Sequence, residues 1–169
     1  PELDSTFIFE EIPAAPSNPI RIVLIFTGDN LLAGRMAGYI EQYGNQYPYE
    51  KVKEYLLEGN FTFGNLESPI TTYSRSTPGK SQESINAGRN FVFKASPLHT
   101  EILRDAGFNV VSLANNHAMD YCALGLEETF DELARVGIAW IGAGPNQEEA
   151  TQPLILEYPV SYTHLTLPT

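Results

Sequence analysis

Apolar and polar positions divide the chain into short apolar runs separated by polar turns rich in glycine and proline. Arg21–Thr27, RIVLIFT, is a continuous apolar run closed by Gly28, the pattern of a fully buried strand. Tyr49–Leu57 places Val52, Tyr55 and Leu56 at helical spacing, with Gly59 as a stop. FTFGN from Phe61 begins a second strand. Pro69–Gly88 is polar and rich in Ser, Thr and Gly; it predicts a long loop, and loops of that length in compact domains often carry function.

Asn90–Ala95, NFVFKA, alternates and predicts a third strand. Ser96 and Pro97 supply an N-cap and a first-turn proline for a helix over Leu98–Ala106. Phe108–Leu113 predicts a fourth strand. Leu124–Val136 is amphipathic, with Leu126, Phe130, Leu133 and Ala134 on one face and Gly137 just beyond its end. Ile138–Ile141 reads as a fifth strand, Gln147–Ala150 as a short helix and Leu154–Tyr158 as a sixth strand. Strands alternating with helices predict an α/β domain with a largely parallel sheet. In such sheets ligands collect at the carboxyl ends of the strands.

Composition narrows the function. Hydrophobic residues make up 43% and charged residues 18% of 169 residues, a globular balance with enough chain for one real core. The net charge of −11 argues against a nucleic-acid partner, whose phosphates attract basic surfaces. It leaves phosphate substrates open, because a bound metal inverts the local sign. One cysteine, Cys122, allows no internal disulfide. No run reaches the ~20 apolar residues of a membrane span.

Both ends read as separate from the domain. Residues 1–19 carry four prolines and are expected to be an N-terminal linker, with any secretory signal or anchor lying upstream. Residues 159–169 end in VSYTHLTLPT, which reads as a translated sequencing-library adapter. They are expected to be a non-native tail, which leaves 20–158 as the domain.

Three predicted strands end in polar groups. The first ends in TGDN with Asp29, the second in FGNLESP with Asn65 and Glu67, and the fourth in LANNHAMD with Asn115, Asn116, His117 and Asp120. Oxygen and imidazole ligands from separate strand tips are able to meet around a divalent cation. Each motif alone also has a structural reading, as a turn, a cap or a satisfied histidine. Their recurrence at three strand ends favours a metal or phosphate site.

At these residues the sequence resembles the CapA-type bacterial capsule and poly-gamma-glutamate synthesis proteins, a family similar in fold to the calcineurin-like metallophosphoesterases. The resemblance runs from about Arg21 to Tyr158. It rests on FTGDNLLAGR, GNLESPIT, FVFKASP, AGFNVVSLANNHAMDY, GLEETFDELARVGI and GAGPNQEEATQP, in that order. It implies part of a layered αββα sandwich with mainly parallel strands, and a two-metal site holding divalent cations such as Mn, Zn, Fe or Mg. By the same resemblance Asp29, Asn65, Glu67 and Asn116 are metal-site residues, and Arg35 holds an anionic group of the substrate. His117 faces the scissile ester and Asp120 orients it. Further metal-binding histidines are implied downstream, so this stretch would be inactive alone. Cys122 departs from the pattern, standing where the family has glycine.

Two functions follow as expectations. One is a metal-dependent hydrolase acting on a phosphoester or an anionic polymer. The other is a non-catalytic accessory component of a membrane complex that makes or exports an envelope polymer. The expected place is the cell envelope, outside the cytoplasm and anchored through an upstream segment, with a cytoplasmic place as the alternative. A nucleotide-binding module is a weaker third reading, since GAGPN at 142–146 is a poor phosphate fingerprint.

Overall fold

The computed structural model describes residues 21–158 and the backbone of residues 161–167. The linker expected over 1–19 lies outside the described residues. The elements run β1 (Leu24–Asn30), α1 (Arg35–Tyr43), α2 (Lys53–Leu56), β2 (Phe61–Leu66), α3 (Gln82–Asn86), a 3₁₀ turn (Pro97–His99), α4 (Thr100–Asp105), β3 (Val110–Ser112), α5 (Cys122–Val136), β4 (Ala139–Ile141), α6 (Gln147–Ala150), β5 (Leu154–Tyr158) and β6 (Ser161–Leu167).

Strands β1 to β4 form one parallel sheet in the order β1-β2-β3-β4. This is the α/β arrangement expected, and it is consistent with part of a metallophosphoesterase-like sandwich. The core lies under the helices. Leu103 of α4 and Leu133 of α5 are fully buried, with Leu66, Val111 and Ile138. Phe130 of α5 stacks on Trp140 of β4, ring centroids 5.0 Å apart. Gly137 ends α5 in the left-handed conformation (φ 75°), as its place after Val136 anticipated. Ser96 accepts from the Leu98 amide, which satisfies one free donor at the start of the 3₁₀ turn.

Several local expectations fail for non-local reasons. β1 is an edge strand rather than a fully buried one: Phe26 is 62% exposed and rests on Phe63 at 4.6 Å between ring centroids. Asn90–Ala95 forms no strand, only an isolated bridge between Ile70 and Ala95. Its Phe93 amide donates to the Asp120 carboxylate at 2.7 Å, so a donor that would serve a sheet serves a side chain. The helix expected over Tyr49–Leu57 shrinks to one turn, α2, and Tyr55 is exposed. Helix α1 was not anticipated, because glycines and tyrosines obscure its spacing. Ala134, placed by spacing on the buried face of α5, is exposed. β5 pairs antiparallel with β6 in a sheet of its own, and so stands outside the parallel sheet. β6 falls within the residues read as the tail.

Candidate functional site

The site forms where β1, β2 and β3 end on one edge of the sheet. Its first feature is a bulge in β1. Phe26 is level with Phe63, but Asp29 is level with Asn65, so β1 spends one extra residue over Thr27–Gly28. Side chains of neighbouring parallel strands at the same level share a face, and successive residues alternate. Without the extra residue Asp29 would be level with Leu66, whose side chain is fully buried. The bulge therefore brings Asp29 to the face of Asn65 and Glu67.

Buried Asn30 props this bulge. Its amide nitrogen donates to Gly28 O at 2.9 Å and Thr27 Oγ1 at 3.0 Å, and its oxygen accepts from Tyr49 OH at 2.9 Å. Burial pushes the Tyr49 phenol well above its usual range, so it stays a donor.

Asn65 lies between the two acids. Its Nδ2 donates to Asp29 Oδ1 at 2.8 Å and to Glu67 Oε2 at 2.5 Å. Its Oδ1 accepts from Asn115 Nδ2 at 3.0 Å, which settles the orientation of the amide. Asn115 also donates to Leu66 O at 2.9 Å, and its oxygen accepts from the amides of His117 and Ala118, both at 2.9 Å. This closes the turn after β3 onto the end of β2.

That turn delivers His117 to the same edge. His117 is buried, with Nε2 3.8 Å from Glu67 Oε1 and Nδ1 2.8 Å from Asp120 Oδ2. A nitrogen that close to a carboxylate is placed to donate to it, which leaves Nε2 on the side of Glu67. Phe93 packs on the imidazole, ring centroids 4.5 Å apart. Asp120 is 1% exposed and also contacts Lys80 Nζ at 2.5 Å. Next to it, burial and then the Asp120 charge raise the Tyr121 phenol above its ordinary value.

The structure thus joins Asp29, Asn65, Glu67, His117 and Asp120 in one network. Asn116 occupies the same turn but is exposed; its amide enters none of these hydrogen bonds, and its backbone carbonyl accepts from Lys80 at 3.3 Å. Arg35 opens α1 and lines a groove of about 690 Å³ with Tyr39, Phe91 and Phe93. Among the described residues, no three His, Cys, Asp or Glu side chains gather as a metal cluster. Sequence reasoning missed Lys80, which sits in the loop after β2, and the bulge-supporting role of Asn30. GDN at the strand end held a hint of the second; nothing local marked the first.

Comparison with known proteins places these motifs. A family model described as "Bacterial capsule synthesis protein PGA_cap" matches residues 23–166. The chain belongs to this bacterial capsule synthesis family. It is 26% identical over 126 residues to the capsule biosynthesis protein CapA of Bacillus anthracis, covering 75% of this chain and 29% of that protein. It is 26% identical over 129 residues to the PGA biosynthesis protein CapA of Bacillus subtilis (strain 168), covering 76% of this chain and 32% of that protein. An uncharacterised protein of Sinorhizobium fredii is 28% identical over 134 residues. The chain therefore spans about a third or less of the length of the curated relatives it matches. Among the described residues no helix is long and apolar enough to cross a membrane.

Proposed function

We propose that the strand-tip network is part of a two-metal hydrolase site, in a protein that acts on an anionic envelope polymer or a phosphoester. One observation carries the reading: carboxylates from two neighbouring strand tips, Asp29 and Glu67, are both held against the single amide nitrogen of Asn65. Two acid oxygens, each one hydrogen-bond length from the same donor, mark a place where positive charge is favoured.

The donor set fits divalent cations. It consists of carboxylate and amide oxygens with one imidazole nitrogen, a hard to borderline set. Asp29 and Glu67 would hold the metals directly, with the Asn116 amide completing the shell from the adjacent turn. Cations bound there would supply Lewis-acid polarisation of an ester oxygen and a lowered pKa for water, from ~15.7 toward ~7. Asn65 keeps the acids apart and aimed. His117 offers Nε2 at the edge of the site, to accept or return a proton at the scissile oxygen. Asp120 would keep that nitrogen free of hydrogen by taking the hydrogen of Nδ1. Arg35 would bind an anionic group of the substrate in the groove that Phe93 also lines.

The capsule and PGA biosynthesis named for the relatives supports an envelope polymer as the substrate class, and an extracytoplasmic place beside a membrane synthesis or export complex. The test is metal content and phosphodiesterase or phosphatase turnover of the full-length protein with Mn²⁺ or Zn²⁺. Asp29→Asn is expected to weaken metal binding. His117→Ala is expected to keep most metal and slow turnover, since groups aimed at developing charge are worth ~2.7–4 kcal/mol in the barrier. A protein that binds metal, yet whose hydrolysis and polymer yield respond to neither change, is an accessory component instead.

A further inference from the structure

We propose that Lys80 is a positioning residue of this site: it is the cation that pins the buried Asp120 carboxylate and so fixes which nitrogen of His117 carries the hydrogen. The proposal rests on the reading of His117 as the group that meets substrate.

Asp120 has almost no contact with solvent, and an ionised carboxylate in that position is costly unless paired and hydrogen-bonded. Its partners are the Phe93 amide, His117 Nδ1 and Lys80 Nζ, at 2.7, 2.8 and 2.5 Å. Among the described residues, Lys80 is the one Lys or Arg side chain that forms an ion pair with it.

The ammonium has three hydrogens, and three oxygens surround it. They are Asp120 Oδ1 at 2.5 Å, Phe91 O at 3.1 Å and Asn116 O at 3.3 Å. His117 Nδ1 lies 3.2 Å from Nζ but only 2.8 Å from Asp120 Oδ2, and a carboxylate is the better partner for its hydrogen. Lys80 is therefore a neighbour of the imidazole rather than its donor. Its effect passes through Asp120.

The three oxygens belong to two segments: the Phe91–Ala95 stretch and the turn after β3, which carries both Asn116 and Asp120. A lysine tying these two segments to its own loop also acts as a latch, so the test must separate charge from tethering. Glutamine retains a donor amide that reaches carbonyl oxygens and lacks the charge. Methionine lacks both.

The experiment is a side-chain ¹⁵N–¹H correlation of the three histidines in this chain at neutral pH, with His117 assigned by His117→Gln. The unsubstituted chain is expected to show His117 as a single Nδ1–H tautomer. Lys80→Gln and Lys80→Met are both expected to lower the ratio of Nδ1–H to Nε2–H by about tenfold or more, the scale of one charged hydrogen bond. Asp120→Asn is expected to do the same, and combining it with Lys80→Met is expected to add little, because both act through one contact. Amide dispersion checks the fold of each variant; if Lys80→Met unfolds, Lys80→Gln carries the comparison. A Lys80→Gln chain that is folded and keeps the Nδ1–H tautomer overturns the proposal and leaves Lys80 a tether. Metal titration of Asp29→Asn tests the two-metal reading separately, and its failure would leave the tautomer result standing.

Discussion

Asn115 Nδ2 donates to Asn65 Oδ1 over 3.0 Å, and this one bond determines that Asn65 turns its nitrogen, not its oxygen, toward Asp29 and Glu67. An amide has a donor end and an acceptor end of nearly equal size, so only its partners decide which way it points. With the opposite orientation, an oxygen would face two carboxylates and repel them.

Asn115→Ala removes that control and the two acceptances from the His117 and Ala118 amides. Metal affinity at the proposed site is expected to fall about 10–100-fold, the usual scale for loss of a group that orients ligands. Calorimetric titration with Mn²⁺ measures it. Unchanged affinity would show that the carboxylates hold their places without Asn65.

Gly64 immediately precedes Asn65 and has no room for a side chain. A methyl group there would meet the Asn30 amide nitrogen and would lie 2.8 Å from Phe108 Cε1. Both neighbours are buried, and Asn30 is the prop of the β1 bulge. Gly64→Ala is expected to destabilise the fold by about 1–3 kcal/mol, the range for overpacking a filled core. Urea denaturation gives the value. Metal affinity should drop with it, because displacing Asn30 releases the bulge.

Cys122 has φ 60°, the one non-glycine residue in the left-handed region among those described. That conformation costs an L-residue roughly 1–2 kcal/mol, and glycine avoids it. The thiol's contact with Arg75 O at 3.9 Å is too weak to compensate. Cys122→Gly is expected to stabilise the chain by about 1 kcal/mol, less some loss from a more flexible unfolded state. A higher melting temperature is the outcome sought; a lower one would mean the Cys122 side chain packs more than its geometry suggests.

Glu128 of α5 accepts from Thr71 Oγ1 and the Thr72 amide, both at 2.7 Å. These bonds, the Thr71 hydroxyl first, hold its carboxyl below the ordinary value. The unfolded chain returns it to ~4.3, so its stabilising contribution is complete above that pH and disappears as pH falls through the lowered folded value. Glu128→Gln should flatten that acid limb in chemical denaturation series run across pH. An acid limb unchanged by the substitution would assign the sensitivity to other carboxylates.

Much of this was legible in residue order alone. The 3.6-residue spacing of Leu126, Phe130 and Leu133 marked α5, and Gly137 marked its end, because helix patterning and caps are local. Short apolar runs before GDN, GNLE and ANNH located three of the four parallel strands and the edge on which their polar ends meet. That edge is the candidate site. The family resemblance also marked Cys122, a cysteine where the family has glycine, and its positive φ gives the reason.

Other features depended on partners far along the chain. NFVFKA alternates as a strand should, yet Asp120, 27 residues beyond Phe93, takes a backbone amide a sheet would have used. β5 has a strand's pattern, but patterning does not say which strand it will pair with, and it left the parallel sheet for β6. The level of Asp29 was set by a bulge held by Asn30, and Lys80 reached Asp120 across 40 residues. The sequence by itself determined α5, the parallel strands with their polar ends and the chemistry placed there, since these follow from periodicity and side-chain type over a few residues. Only the tertiary structure decided register, amide orientation and the partners of the buried charge, because hydrogen bonds and ion pairs are settled by which distant groups packing brings within about 3 Å.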